Sequence, residues 1–354
     1  YGSVIATAPA EPPPGGLPKG AELPPPSVMT KVARLRGVVE RPERRDGALR
    51  DDVSGRFGPD VYTEFLIDFM ERHSDQPFFA YYPMALSHAV SDDLDPHPPH
   101  GPNGRYMTYA EMMAELDKRV GQLVDAVDRM GLKNRTLIFF TSDNGTTKKN
   151  HIRHEGRKLI NEPEISSVIR GKSLVGQKGK FNDWGIRVPT LARWPGVVKA
   201  GSSTDILTDC ADLLPTFSEL GGKKDVAHPL DGVSFAKLFT EGKSPSREWV
   251  SPQQKGMIGI RTRGWKLLDN GQLFDMRGDP FEEIAILQPD DTEESQAARK
   301  KLSTIMSRLN SAASSASGPS AAEISSASAA AETGGGSSKA WSRAGRPPPR
   351  LNPF

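Results

Sequence analysis

Polar residues in three separate stretches of the sequence have side chains suited to binding an oxyanion and a metal ion. The tripeptide 143–145 (Asp-Asn-Gly) offers a carboxylate and an amide oxygen side by side, the hard donors that Ca²⁺ and Mg²⁺ prefer. Lys178, between two glycines, presents a cation on a permissive backbone. His88 can donate a proton to a leaving oxygen. Each stretch alone is more often a turn or a solvated loop, so only their combination indicates a site.

His88 and Asp143 each follow a segment that is typical of a buried strand. Phe78–Tyr82 is a short aromatic run, and Thr136–Phe140 is β-branched and aromatic. Between them, apolar residues step by three and four positions, which predicts an amphipathic helix over 113–130. The alternation predicts an α/β sheet, in which ligands bind beyond the carboxyl ends of the strands.

The composition along the chain predicts four regions. Residues 1–54 are rich in proline and then in arginine, and we expect a disordered basic linker. Residues 55–240 carry the α/β pattern. Residues 241–310 contain short strands separated by glycine turns, including Asn270-Gly271, and predict a small antiparallel subdomain closed by a helix. Residues 311–354 are of low complexity and predict a flexible tail.

Bulk properties exclude several classes of protein. The net charge of +2 over 354 residues gives no global argument for a nucleic-acid or membrane partner. Cys210 is the single cysteine, which rules out an internal disulfide and a cysteine-based zinc site. No apolar run approaches the ~18–20 residues of a membrane span, and no signal peptide is visible. Residues 146–185 are expected to form a long polar loop.

Taken in order, these motifs resemble the sulfatase family over about residues 56–283. The resemblance implies an α/β fold of the alkaline-phosphatase-like three-layer sandwich type, present in part, with a small C-terminal antiparallel subdomain. The similar segments, in chain order, are Arg56–Asp60, Phe65–Phe69, Pro77–Pro83, Tyr109–Gly121, Thr136–Gly145, Lys178–Pro189, Asp209–Leu220 and Arg261–Asp275.

The resemblance also implies a role for each candidate residue. Asp143 and Asn144 would bind Ca²⁺, or Mg²⁺ in some members, and Lys178 would contact the sulfate group. His88 would contact the sulfate or its bridging oxygen. A divalent cation, a lysine and a histidine around the sulfuryl oxygens would stabilise the negative charge that shifts onto them as an alkoxide leaves.

The sequence departs from the family pattern in two respects. The histidine segment reads Ser-His-Ala-Val at 87–90 rather than the family's proline-flanked form, so His97 and His100 in the same loop are competing candidates. The family's nucleophile, a formylglycine made from Cys or Ser in Cys/Ser-x-Pro-x-Arg, is absent from this chain, and Cys210 is interpreted as an ordinary helix residue. The family's early Asp-Asp metal pair is missing as well. We therefore expect an exposed sheet edge and apolar face, with poor solubility or a loosely packed core around the Pro77–Pro83 strand.

The leading hypothesis is a sulfatase-family polypeptide whose full-length form hydrolyses sulfate esters, with this chain supplying half of the metal and sulfate site. By itself the chain is expected to be inactive. The alternatives are a non-catalytic sulfatase-like binding protein and a phosphodiesterase or phosphotransferase of the same superfamily. The expected partner is a sulfated small molecule or polysaccharide, with no nucleic acid. The family resemblance implies a secreted, periplasmic or lysosomal location and leaves the oligomeric state open.

Overall fold

A computed structural model gives the fold of the chain in two compact units, residues Tyr1–Leu302 and Ser303–Phe354, and every site residue discussed below belongs to the first. For residues 2–7, 43–45, 48–50 and 312–316 only the backbone is described. The residues that the structure describes are 2–7, 43–45, 48–50, 53, 56–90, 99–156, 158–169, 171–223, 230–254, 256–278 and 284–316.

The first unit combines helices with strands, and the last described helix begins in the first unit and ends in the second. The helices are α1 (Gly58–Arg72), α2 (Tyr109–Arg129), α3 (Asp183–Ile186), α4 (Leu213–Leu220), α5 (Ala236–Glu241) and α6 (Glu293–Ala316), and 3₁₀ turns cover Lys133–Arg135, Cys210–Asp212 and Gln288–Asp290. The strands are β1 (Gly2–Thr7), β2 (Glu43–Arg45), β3 (Ala48–Arg50), β4 (Phe79–Tyr82), β5 (Thr136–Thr141), β6 (His151–Glu155), β7 (Lys158–Asn161), β8 (Ser166–Ile169), β9 (Lys172–Val175), β10 (Thr190–Arg193), β11 (Gln253–Gln254), β12 (Met257–Arg261), β13 (Trp265–Leu268), β14 (Leu273–Asp275) and β15 (Ala285–Ile286).

The main sheet sets the position of the candidate residues. Its order is β10-β5-β1-β4, and β1 is antiparallel to both neighbours, so β4 and β5 run parallel to each other. Ser3 lies opposite both Tyr82 and Phe140, which puts the ends of β4 and β5 level. The segments that carry His88 and Asp143 therefore leave the sheet at the same edge, from strands two spacings, or about 10 Å, apart.

Strand β5 is covered on both faces, which makes the domain a three-layer α/β structure as predicted. Ile138 faces a core formed with α1 and α2, where Met70 and Leu123 are buried. Leu137 and Phe139 face the opposite core, formed with α4, α5 and Trp194. Because both faces are packed, β5 holds the residues that follow it in a fixed place.

Helix α2 begins at a complete capping box. The Thr108 hydroxyl accepts from the Glu111 N–H, and the Glu111 carboxylate accepts from the Thr108 N–H. The Arg105 guanidinium, and after it the Thr108 N–H, lower the pKa of the Glu111 carboxyl to about 2. Since this pKa is depressed, the stabilisation that the cap gives is complete above the ordinary carboxyl pKa and is lost as the pH falls towards 2.

The prediction of a long polar loop over 146–185 was wrong. Two β-hairpins, β6–β7 and β8–β9, occupy residues 147–175, which we call the double hairpin, and α3 follows. The strands use short β-branched and aliphatic pairs between charged residues, and Gly156 and Gly171 take positive φ at the two turns. The many charged residues of the segment interrupt its short apolar runs, so the sequence pattern did not indicate strands.

The predicted linker over residues 1–54 also differs from the structure in part. Residues 2–7 form β1, whose backbone pairs with β4 on one side and β5 on the other, because the gap between two parallel strands offers unpaired groups to both edges of a Val-Ile strand. Residues 43–50 contain the small hairpin β2–β3. The remaining linker positions lie outside the described residues, apart from Val53, which is buried.

The C-terminal prediction was confirmed. Strands β11 to β15 form one antiparallel sheet in sequential order, and Asn270-Gly271 makes the turn between β13 and β14, with Gly271 at a φ of 86°. Helix α6 follows and extends to Ala316, beyond the predicted boundary, into the Ser/Ala run whose alanines favour helix. The rest of the predicted tail lies outside the described residues.

One face of β4 is open to solvent. Phe79 and Tyr81 are 56% and 61% exposed while their neighbours Ala80 and Tyr82 are buried, as expected for the uncovered sheet face. Among the described helices, none combines the length and apolar character needed to cross a membrane.

The packing of β5 predicts an unequal response to two leucine truncations. Leu137→Ala removes a side chain that is 2% exposed and is expected to lower the free energy of unfolding by about 2–5 kcal/mol. Leu191→Ala, on neighbouring β10 and 64% exposed, is expected to cost less than about 0.5 kcal/mol. Urea denaturation of both variants checks this, and equal losses would contradict the two-sided burial of β5.

Candidate functional site

Asp143 and Asn144 lie immediately beyond the end of β5. Ser142, which is buried, donates from its Oγ to the Asn144 carbonyl at 3.2 Å. The Asn144 Nδ2 donates to the Gly145 carbonyl at 3.1 Å, which leaves the amide oxygen as an acceptor. The Asp143 side chain is exposed. The strand end thus presents a carboxylate and an amide oxygen together, as the sequence predicted.

Two backbone hydrogen bonds bring Lys178 to this strand end. The Lys178 N–H donates to the Thr146 carbonyl at 2.9 Å, and the Gly145 N–H donates to the Gly185 carbonyl at 2.8 Å. The loop 176–185 therefore lies against the residues that directly follow Asn144. The backbone of Lys178 therefore lies beside the strand end that carries Asp143 and Asn144, although Lys178 follows Asn144 by 34 positions in the chain.

Glycine is required where these two segments meet. A side-chain carbon at Gly145 would collide with the Trp184 carbonyl, and one at Gly176 would collide with the Thr147 carbonyl. Gly179, directly after Lys178, takes a φ of 86° that disfavours other residues. The close approach of the backbones thus depends on residues without side chains.

The small antiparallel sheet fixes the lysine loop from the other side. Arg261 on β12 makes a two-pronged ion pair with Asp183 on α3, at 3.0 and 2.9 Å, and both side chains are nearly buried. Lys266 on β13 is fully buried and donates from Nζ to the Phe181 carbonyl at 3.0 Å. Neither basic residue was predicted to have a role. A lysine inside the apolar strand Trp265–Leu268 was the available signal, because a buried ammonium requires an acceptor.

His88 follows a strained turn at the end of β4. Ser87 takes a φ of 70°, unusual for a residue with a side chain, and is 2% exposed. The His88 Nδ1 lies 2.8 Å from the Ala89 carbonyl oxygen, so Nδ1 is the nitrogen that carries hydrogen. His88 is exposed at the same sheet edge as Asp143. A strained backbone at such an edge is typical of functional sites.

The competing histidines have different positions. His100 stacks against Tyr106 at 4.9 Å between centroids, and its Nε2 accepts from the His154 N–H at 3.4 Å, so it belongs to the packing of β6. His97 lies outside the described residues.

Cys210 begins a 3₁₀ turn close to the site. Burial, and after it the Asp209 and Asp143 carboxylates, raise the pKa of the Cys210 thiol. A raised thiol pKa lowers the fraction of nucleophilic thiolate at neutral pH. The environment of Cys210 is therefore the opposite of the cationic one that activates a cysteine, in keeping with its interpretation as an ordinary residue.

The donors at the strand end fit a hard divalent cation by type and fall short in number. Carboxylate and amide oxygens suit Ca²⁺ or Mg²⁺, but Ca²⁺ takes six to eight oxygen ligands. Within the part of the chain that the structure describes, no group of three or more His, Cys, Asp or Glu could hold a metal ion. A metal at Asp143 and Asn144 would need further ligands.

The chain belongs to the sulfatase family. A sequence model of that family, described simply as Sulfatase, matches residues 39–223, just over half of the chain. The match includes the segments that carry His88, Asp143, Asn144 and Lys178, and ends before the small antiparallel sheet.

Curated relatives agree with this assignment. Arylsulfatase A of Bos taurus is 34% identical over 213 residues, which cover 58% of this chain and 38% of the relative. Steryl-sulfatase of Rattus norvegicus is 32% identical over 160 residues, 44% of this chain and 25% of the relative. N-acetylgalactosamine-6-sulfatase of Homo sapiens is 29% identical over 189 residues, which cover 53% of this chain and 33% of the relative. The matched part is therefore about a quarter to two fifths of each relative's length.

Solved structures place the fold in the alkaline-phosphatase-like class. PsFucS1 sulfatase from Pseudoalteromonas sp. superposes with a TM-score of 0.51 at 21% identity, covering 72% of this chain and 52% of that one. Ps i-CgsB, solved also with k-i-k-neocarrahexaose, gives a TM-score of 0.53 at 24% identity, with coverages of 76% and 58%. The likeness extends beyond the family match.

The Asp183–Arg261 ion pair predicts a large loss of stability when one partner is removed. Asp183→Asn leaves the Arg261 guanidinium buried without a carboxylate, and the free energy of unfolding should fall by about 3 kcal/mol or more. Asp68→Asn breaks the half-exposed pair with Arg72 on α1 and should cost less than about 1 kcal/mol. Denaturant titration distinguishes the two, and similar costs would show that the pair does not hold the loop.

The raised pKa of Cys210 predicts slow alkylation of the folded chain at neutral pH. Iodoacetamide should react more slowly with the native chain than with the same chain unfolded in urea, because less thiolate is present. The difference should shrink as the pH rises above both pKa values, which separates ionisation from steric protection. A native rate equal to the unfolded rate at pH 7.5 would contradict the assignment.

Proposed function

We propose that this chain supplies the anion-binding part and one side of the metal-binding part of a site that hydrolyses sulfate esters. Asp143 and Asn144 are the proposed metal ligands, Lys178 the proposed contact to the sulfate oxygens, and His88 the proposed contact to the bridging oxygen. Because the chain matches only part of its relatives, the activity is proposed for a polypeptide that includes the remaining part of the site.

One observation carries the proposal most directly. The Lys178 N–H to Thr146 carbonyl bond joins the lysine loop to the strand end that presents Asp143 and Asn144. A cation for an oxyanion and two hard oxygen donors for a metal thus share one site in a chain of the sulfatase family. His88 lies at the same sheet edge, and its position supports a contact with the leaving side of the ester.

The chemistry follows from charge. Cleavage of a sulfate ester moves negative charge onto the sulfuryl oxygens and onto the departing alkoxide. The Lys178 ammonium would stabilise the first charge. A doubly protonated His88, with its Nδ1–H on the Ala89 carbonyl, would give its Nε2 proton to the second. When bound, a divalent cation would supply further stabilisation of the sulfuryl oxygens. Asp143 and Asn144 would hold it from the β5 side.

The nucleophile would come from outside the residues of this chain. No Cys/Ser-x-Pro-x-Arg motif occurs in the 354 residues, and the environment of Cys210 disfavours a thiolate. In the family resemblance, the hydrated formylglycine supplies the attacking oxygen. This absence also keeps the non-catalytic alternative open, in which the same cation and oxygen donors bind a sulfated ligand without turnover.

A chimera tests the proposal. We expect the chain alone not to hydrolyse 4-nitrophenyl sulfate, and a chimera that adds the upstream part of bovine arylsulfatase A to do so. In a folded chimera, Asp143→Ala or Lys178→Ala should lower kcat/KM about 100-fold or more, because each removes a charge next to the sulfuryl group. Asp117→Ala, at an exposed position of α2, is the matched control and should leave kcat/KM unchanged.

Four results would contradict the proposal. Turnover by the chain alone would show that it contains a nucleophile. Undiminished activity of a folded Asp143→Ala chimera would remove the metal role. Faster hydrolysis of 4-nitrophenyl phosphate than of the sulfate would favour the phosphodiesterase or phosphotransferase alternative. A chimera that unfolds cooperatively and binds sulfated ligands but hydrolyses neither ester would favour the non-catalytic one.

A further inference from the structure

The double hairpin carries an excess of positive charge. Residues 147–175 contain seven Lys or Arg and three Glu, a net charge of +4. The whole chain has a net charge of +2, so the other residues sum to −2. This concentration excludes Lys178, which lies just beyond β9, and is therefore independent of the candidate site.

The three acidic residues of the double hairpin are already engaged. Glu164 pairs with Lys148 at 2.7 Å, and Glu155 pairs with Arg153. The Glu162 carboxylate accepts from the Tyr109 N–H, at the start of α2, at 3.1 Å. Lys149 and Lys158 are exposed, and the charge of Lys149 helps to lower the pKa of the Glu164 carboxyl, after the stronger effect of Lys148. The side chains of Lys149 and Lys158 are thus accessible to a ligand.

Hydrogen bonds at its base hold the double hairpin in a fixed relation to the site. The Ile165 N–H donates to the Lys148 carbonyl at 2.9 Å, and the Gly176 N–H donates to the Ile165 carbonyl at 3.0 Å. Thr146, which accepts from Lys178, directly precedes the double hairpin. Lys149 follows Thr146 by three residues and therefore lies at the base of the double hairpin, where Lys178 is bound. Lys158 lies at the far end of the first hairpin.

The double hairpin is longer than a single anion can span. Four residue steps along β6 carry the chain about 13 Å from its base to the turn before Lys158. A ligand that contacts Lys178 and Lys158 at once must therefore carry several negative charges along its length. Residues 147–175 contain no Phe, Tyr or Trp, so they lack the aromatic platform on which proteins stack unpaired bases.

We infer that the double hairpin binds a sulfated polysaccharide chain beside the site, with its cations contacting sulfate groups other than the one at Lys178. This inference rests on the proposed function, since it specifies the substrate class of the same site. It predicts that Lys149 and Lys158 contribute to the affinity for a polysulfated chain and not to the chemistry.

Binding measurements on the existing chain test the inference without requiring turnover. The probe is a fluorescein-labelled heparin hexasaccharide, and its affinity is measured by anisotropy over a range of NaCl concentrations. Lys149→Gln/Lys158→Gln should weaken binding about tenfold. The slope of log affinity against log salt should become shallower by about 1.5, since two contacts that release counterions are lost.

A second pair of lysines provides the control. Lys133→Gln/Lys199→Gln removes the same charge from two exposed positions. Lys133 precedes β5 and Lys199 follows β10, so both lie towards the end of these strands that is opposite to Asp143. This variant should bind the hexasaccharide within about twofold of the unmodified chain. Circular dichroism and urea denaturation establish that both variants are folded.

The inference is overturned by equal losses in the two variants, by absence of hexasaccharide binding at low salt, or by tighter binding of a single-stranded oligonucleotide or anionic lipid vesicles of matched charge. Failure of the proposed function can be distinguished from failure of this inference. If the proposed function fails, the chimera hydrolyses no sulfate ester, regardless of how the lysine variants bind the hexasaccharide. If instead the chimera is active and the Lys149→Gln/Lys158→Gln variant binds the hexasaccharide normally, the proposed hydrolysis is supported and the proposed polysaccharide surface is contradicted.

Discussion

The site depends on the hydrogen bonds that join the end of β5 to the loop 176–185. The Gly145 N–H to Gly185 carbonyl and the Lys178 N–H to Thr146 carbonyl bonds are between backbone atoms, so they fix position without specifying side chains. Glycine at 145 and 176 allows this approach, because any side chain there would meet a carbonyl oxygen. What the site can do chemically is then decided by Asp143, Asn144 and Lys178, which stand directly beside this junction.

Each partner in the junction is supported by a different layer. Strand β5 is packed on both faces, whereas the lysine loop is held by buried basic residues of the small antiparallel sheet. The small sheet thus stabilises the lysine loop without contributing one of the candidate ligands. Removing a buried charge partner there would loosen Lys178 while leaving β5 intact, so binding of anion and metal should be separable by mutation.

Much of the fold was readable from the sequence where local signals and packing agree. Strand β5, helix α2 and the Asn270-Gly271 turn each combine a clear hydrophobic period with a suitable cap or turn residue. The double hairpin was missed because charged residues interrupt its short strands, and β1 because its pairing depends on distant strands. For the site, residue types indicated the donors, but the proximity of Lys178 to Asp143 arises from backbone bonds that leave no mark on the sequence. The role of Lys266 required knowing that it is buried.

The ends of the double hairpin meet at one place. The chain leaves the site at Thr147 and returns at Gly176, whose backbone touches that of Thr147. The intervening 28 residues form a closed excursion, so they can be shortened, lengthened or exchanged without moving Asn144 away from Lys178. The double hairpin can therefore vary during evolution while the geometry of the candidate site is retained, and a different pair of hairpins can be grafted at the same two positions.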